Sequence, residues 1–244
     1  MGLELLRKYL SDKGINLSGR QEEQFERFST LLSERNKVMN LTAVHSGRDT
    51  EIRHFIDSLA LITEMPGEAL DMLSLHNANI IDLGTGAGFP GIPLAIMLPD
   101  AHFTLVDSLN KRISFLNEVT DELSLNNVRP VSGRFEELAR RSELRESFDF
   151  GVSRAVAELR VLLEYSLPFI KGNGYFAGYK SGSPQSEIDA AEHALKELSA
   201  EVNSIYEYNE YDSEVARSIV LIHKISSNSD RYPRRNGIPL KRPL

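Results

Sequence analysis

Residues 80–91 read Ile80-Ile81-Asp82-Leu83-Gly84-Thr85-Gly86-Ala87-Gly88-Phe89-Pro90-Gly91. An apolar run suited to a buried strand meets three alternating glycines, and Pro90 stands where the next helix would begin. Glycine tolerates positive φ and lets backbone amides approach a ligand with no Cβ in the way. A helix start adds free N–H groups and a positive dipole end, both suited to a carboxylate or phosphate. Asp82, at the strand end, can accept a hydrogen bond from a ligand ammonium, directly or through water. Asp107 ends the following apolar run, where an acid can accept both hydroxyls of a ribose. The chemistry implied is the binding of a nucleoside-bearing small molecule.

Two cofactors compete for this turn. Gly86-x-Gly88-x-x-Gly91 satisfies a dinucleotide fingerprint, although a lone match of that kind is weak. The pattern acid-x-Gly-x-Gly-x-Gly resembles instead the first motif of methyltransferases that use S-adenosyl-L-methionine, whose ammonium gives Asp82 a task. Asp107 suits either. The motif's position favours the second: about 78 residues precede it, whereas dinucleotide enzymes of this length usually open with theirs. The chain has no cysteine, which excludes methylation at pyrimidine C5, because that chemistry first adds a thiolate to the ring. The segment Phe148–Val156 has no diproline, unlike the corresponding motif of exocyclic-amine methyltransferases. Ring nitrogens, hydroxyls, carboxylates and small molecules remain as acceptors.

The elements that must position these groups follow from periodicity. The first 65 residues read as helical. Ser18 and Gln21 have the spacing of a capping box, Asn36 or Asn40 can end that helix, and Ile52, Phe55, Leu59 and Ile62 predict a second helix over 50–63. Pro66-Gly67 breaks the pattern. Strands are predicted at 79–83, 102–107, 127–132, 148–153 and 174–180, with helices near 91–98, 110–124, 134–141, 157–170 and 184–199. This alternation implies a parallel sheet covered on both faces. Runs at 201–209 and 217–225 should pair antiparallel at one edge. The expected class is α/β: a doubly wound, seven-stranded Rossmann-like methyltransferase sheet with a C-terminal antiparallel hairpin. Its expected parts are a helical extension (1–65), a cofactor-binding domain (66–225) and a basic tail (226–244).

The chain's net charge of −7 does not by itself suggest a polyanion partner. Its distribution does. Residues 231–244 hold Arg231, Arg234, Arg235, Lys241 and Arg242 with no acid, which leaves 23 basic residues against 35 acidic elsewhere. Such a polarised chain meets a polyanion locally. No apolar run approaches the ~18 residues of a membrane span, no histidine pair has metal-binding spacing, and a cytoplasmic, metal-free monomer is expected.

Taken in order, these segments resemble the RsmG (glucose-inhibited division protein B) family of bacterial 16S rRNA guanine-N7 methyltransferases. The resemblance rests on Asn40-Leu41-Thr42, Arg53-His54-Phe55-Ile56-Asp57-Ser58-Leu59, Asp82 through Gly91, Val106-Asp107-Ser108 with Lys111-Arg112, Ser153-Arg154-Ala155-Val156, Tyr179-Lys180 and Arg231-Tyr232-Pro233-Arg234. It implies transfer of a methyl group to guanine N7 in 16S rRNA, or in the assembled small subunit. It also implies cofactor contacts at Gly84, Phe89, Phe135, Glu136 and Arg154, beside Asp82, Gly86, Gly88 and Asp107 from the motif itself. Many relatives have alanine in place of Phe135, so backbone contact is expected there. Guanine N7 already carries a free lone pair, so no general base is expected. Arg154 should pair with a carboxylate or with RNA, because a bare cation beside a sulfonium is unfavourable in a dry site. Lys180, Arg231, Tyr232, Arg234 and Arg235 are the expected RNA contacts. A small-molecule methyltransferase and a non-catalytic assembly factor gated by S-adenosylmethionine stay open as alternatives.

Overall fold

Ser18 begins the first long helix through the reciprocal bonds its sequence spacing allows. Its Oγ accepts from Gln21 N–H, and its own N–H donates to Gln21 Oε1 at 2.9 Å. The computed structural model describes residues 3–42, 47–65, 67, 75 and 77–244. Helix α1 spans Glu4–Asp12 and α2 spans Gly19–Met39, which ends on Asn40 in the left-handed region at φ 49°. A further helical stretch comprises α3 (Gly47–Thr50), a π-helical turn (Glu51–Ile56) and α4 (Asp57–Thr63). The helix read over 50–63 is therefore present, starts earlier and contains an irregular turn. Such a π turn shifts the later side chains around the helix, and these turns often occur at functional sites. Pro66, and most of the stretch after it, lies outside the described residues.

The α/β part runs β1 (Asn79–Leu83), α5 (Gly91–Met97), β2 (His102–Asp107), α6 (Asn110–Glu122), β3 (Val128–Ser132), α7 (Phe135–Leu138) and β4 (Phe148–Arg154). It continues with α8 (Leu159–Ser166), β5 (Ile170–Ser181), α9 (Gln185–Ala190), α10 (Glu192–Glu197), β6 (Ala200–Asn209) and β7 (Ala216–Lys224). The seven-stranded sheet has the order β3-β2-β1-β4-β5-β7-β6. The first five strands are parallel, and β7 pairs antiparallel with both β5 and β6. Strand order reverses between β1 and β4, so the crevice beyond their carboxyl ends is where such sheets bind ligands. The fifth strand begins four residues before its sequence-read start. Its Lys171-Gly172-Asn173-Gly174 segment has turn composition, yet it runs inside a strand that is irregularly registered against β4.

Alternation along the strands separates two apolar layers. Ile80, Phe103, Phe150 and Leu221 face a layer shared with Phe25, Phe28 and Phe55 of the N-terminal helices. Ile81, Val106, Phe176 and Val220 face the opposite layer, which includes Leu159, Leu163 and Tyr232. The two ends of the chain therefore cover opposite faces of the sheet. Lys224 is fully buried where β7 ends; its ammonium donates to Glu146 and to the carbonyls of Leu167 and Ile170.

The basic tail is folded rather than a free solvated arm. The Tyr232 hydroxyl donates to Glu197 Oε2 at 2.7 Å, and its side chain is 4% exposed. Arg234 binds the fully buried Glu164 through its backbone N–H and through the Nε and Nη2 edge of its guanidinium, at 2.6–3.1 Å. Arg140 and Arg145 donate to tail carbonyls at Pro233 and Tyr232. Beyond these anchors comes α11 (Ile238–Lys241). Removing one partner of a buried ion pair leaves the other charge stranded. Arg234→Ala is therefore expected to lower unfolding free energy by about 3 kcal/mol in a urea titration, whereas Arg231→Ala at the exposed surface should shift the midpoint little.

Candidate functional site

At the end of β1 the chain turns past neighbours that leave no room for a Cβ at Gly84 or Gly91. Gly84 has φ 73°, and a Cβ there would lie 2.4 Å from Val156 Cγ2. A Cβ on Gly91 would lie 2.3 Å from Leu105 Cδ2 and 2.7 Å from Asp82 Oδ2. That proximity is used: Asp82 Oδ2 accepts the Gly91 N–H at 2.8 Å and so fixes the start of α5 against β1. The other oxygen, Oδ1, is buried and has no hydrogen-bond partner. The Thr85 hydroxyl is likewise buried without a formed hydrogen bond. Burial pushes the Asp82 carboxyl up to about 7, and the nearby Thr85 hydroxyl and the bond from Gly91 work against it. A glycine cradle beside an orphaned carboxylate oxygen fits a ligand that brings its own ammonium.

Asp107 holds the same turn from β2. Its Oδ2 accepts from Gly86 N–H at 3.1 Å and from Arg112 at 2.9 Å, and Oδ1 accepts from Leu109 N–H at 2.9 Å. A carboxylate offers about four acceptor sites, so three are used within the protein. Gly88, the last of the alternating glycines, donates its N–H to Thr85 O.

Phe89 faces the N-terminal helices. Its ring stacks on His54 at 4.3 Å and 18°, and the Arg154 guanidinium lies 5.3 Å from the ring centre. Arg154, at the end of β4, donates to Asp57 Oδ2 at 2.7 Å and to Arg53 O at 3.0 Å. His54 Nδ1 lies 3.4 Å from the same guanidinium, while Nε2 shares a 2.7 Å bond with Thr42 Oγ1. Burial and the Arg154 charge push His54 down to about 4, so it is neutral near pH 7. The carboxylate expected beside Arg154 is thus Asp57, 97 residues away in sequence. His54 and Asp57, three residues apart in the chain, are linked through Arg154.

Asp57 Oδ1 also accepts from the Tyr208 hydroxyl at 2.9 Å. Arg217, directly opposite Tyr208 in the hairpin register, lies 3.8 Å from the same oxygen. These groups line a cleft of about 610 Å3 together with Arg53, Arg154 and Lys180. Tyr208 and Arg217 escaped the sequence reading. The only signal for them was the alternation of the terminal hairpin, which says which face they share but not what they meet.

A second cavity, of about 220 Å3, opens beside β3. Phe135 and Tyr165 meet in it with ring centres 5.2 Å apart, and Glu136 Oε1 accepts the Gly237 N–H at 3.0 Å. Phe135 thus offers a ring as well as backbone. Gly84 lies against Phe135 and Val156, so this cavity adjoins the glycine turn. Lys180, Tyr232 and Arg234, expected at RNA, are engaged internally: Lys180 donates to Glu187 at 2.6 Å and to Ala157 O at 2.8 Å. Arg231, which pairs with Glu197, and Arg235 stay exposed. Among the described residues, no group of histidines and acids could hold a metal ion, and no helix is long and apolar enough to cross a membrane.

The profile of the GidB family, described as rRNA small subunit methyltransferase G, matches residues 21–219. A ribosomal RNA small subunit methyltransferase G from Lachnoclostridium phytofermentans is 44% identical over 235 residues, covering 96% of this chain and 94% of its own. The protein of that name from Bacillus subtilis is 38% identical over 245 residues, covering 100% and 99%. A putative sarcosine dimethylglycine methyltransferase from Galdieria sulphuraria has a structure with a TM-score of 0.53 at 13% identity, over 74% of this chain and 88% of that one. A SAM-dependent methyltransferase from Methanosarcina mazei gives 0.52 at 13% identity, over 67% and 100%. These two likenesses are of fold.

The raised Asp82 value has a measurable consequence. An acid whose folded value lies above the usual ~3.9 binds its proton more readily in the folded state. Its stabilising contribution is present in acid and is lost as pH rises through about 7. Asp82→Asn keeps an acceptor for Gly91 but cannot ionise. In ligand-free urea unfolding between pH 5 and 8, the wild type should lose stability more steeply than this variant. Equal slopes would remove the assignment.

Proposed function

The chain belongs to the rRNA small subunit methyltransferase G family, whose members use S-adenosylmethionine, and from that premise we propose that it methylates N7 of a guanine in 16S rRNA. Bound at the turn, the cofactor supplies an electrophilic methyl group on a sulfonium centre. Asp82 offers its free Oδ1 toward the ammonium end, directly or through water, while Gly84 and Gly86 keep the turn open to the ligand. The remaining acceptor capacity of Asp107 suits the ribose. Phe135 and Tyr165 supply an apolar wall for the purine, with Glu136 as a polar partner.

The observation that carries the guanine-N7 reading is the state of the groups at the edge of the cleft. His54, held down to about 4, is a weak base whose Nε2 is tied to Thr42, and Asp57 is engaged by Arg154 and Tyr208. Neither is poised to remove a proton, which suits a nucleophile whose lone pair is already free. The protein's contribution is then alignment of nucleophile, methyl and leaving sulfur, worth several kcal/mol of barrier. Pairing with Asp57 tempers the Arg154 charge near the sulfonium. Arg53 at the cleft, with Arg231 and Arg235 on the tail, is suited to RNA phosphates.

The test uses labelled S-adenosylmethionine and small subunits from cells lacking this protein, followed by cleavage chemistry specific to N7-methylguanine. Incorporation of label with cleavage at one position is the expected result; label without cleavage overturns the N7 assignment. In the same assay Gly84→Val should be inactive. In calorimetry it should show no cofactor binding, because its side chain would occupy the Val156 contact.

A further inference from the structure

The cavity beside β3 is not built from the sheet region alone. Asn236, Gly237 and Leu240 line it together with Phe135, Glu136 and Tyr165. Leu240 is 62% exposed although its neighbour Pro239 is buried. A large apolar side chain is thus presented to solvent at the rim of an aromatic cavity. The chain up to Arg234 is anchored independently, through Glu164, Glu197, Arg140 and Arg145. Beyond it, the bond from Gly237 N–H to Glu136 Oε1 ties the segment to the cavity. Gly237 adopts φ 76°, a left-handed conformation that aims the segment back toward α7. Glu164 and Tyr165 are consecutive in α8, so the same helix both anchors the tail and supplies a ring to the cavity.

We propose that residues 236–240 form the outer wall of the adenine pocket, with Leu240 covering the purine. This rests on the cofactor reading given above and adds a part of the site drawn from the far end of the chain. The cavity suits a flat heteroaromatic ring: it has two aromatic side chains, one acceptor already oriented by a backbone N–H, and an apolar rim group that loses its solvent exposure when the ring arrives. Burying a leucine side chain is worth enough to change affinity about tenfold. With the wall covering the ring, ligand binding and docking of this segment strengthen one another by the same factor.

The experiment titrates the full-length protein with S-adenosylhomocysteine, the demethylated product, by calorimetry. Leu240→Asp should bind about tenfold more weakly or worse. Ile225→Asp, which places the same charge on a half-exposed apolar residue elsewhere, should bind as the wild type does. Hydrogen exchange is followed in parallel on the unmutated protein, where amides of 236–241 should gain protection when the ligand is added. Unchanged affinity in Leu240→Asp, or unchanged protection in this segment while the ligand is bound, overturns the proposal and leaves the cofactor reading standing. Absence of binding to the wild type overturns that reading instead. If Leu240→Asp unfolds, the exchange measurement alone decides.

Discussion

A carboxylate without solvent, near the end of β1, the middle one of the five parallel strands, organises this molecule. Asp82 has one hydrogen bond to α5 and one oxygen without a donor, inside an apolar layer. Burial without full satisfaction costs free energy, so the neighbourhood is shaped around it. Gly91 must lack a Cβ for its N–H to reach the carboxylate, and Gly84 must turn with positive φ past Val156. The turn must also be held from outside, which Asp107 does through Gly86. Replacing the carboxylate with an apolar side chain would remove the unpartnered oxygen and with it the reason for the cradle.

Arg154 provides the second organising contact, and it joins parts of the chain that are otherwise separate. It projects from β4, across the switch point from β1, and gathers Asp57 and the backbone of Arg53 from the irregular turn of the N-terminal helices. Asp57 then draws in Tyr208 from the hairpin. Three regions of the sequence thus converge on one ion pair. The N-terminal helices are therefore part of the site's wall as well as a cover for the sheet.

Local chemistry is legible in the sequence, and long-range partnership is not. β1 and β2 match their sequence-read limits to the residue, because a glycine turn and an acid mark where each buried run ends. The Ser18 capping box is a four-residue matter, and the structure contains it as read. The partner of Arg154 can be named from sequence only as some carboxylate, since nothing in spacing ties residue 154 to residue 57. The tail misleads for the same reason. Its arginines and tyrosine look like an RNA-binding arm when counted along the chain, but Glu164 and Glu197 claim Arg234 and Tyr232 once the chain has folded. Asp107, read for ribose, is also partly spent on its own turn.

Placement of the tail has a consequence for how the protein is made. The glycine turn and the sheet's parallel strands are synthesised before residues 236–240, which contribute a lining of the cavity beside β3. Chains fold from their N-terminal end during synthesis, so a nascent chain can assemble its sheet while that cavity is still unwalled. A chain cut before residue 236 therefore keeps the glycine turn while losing the lining beside it.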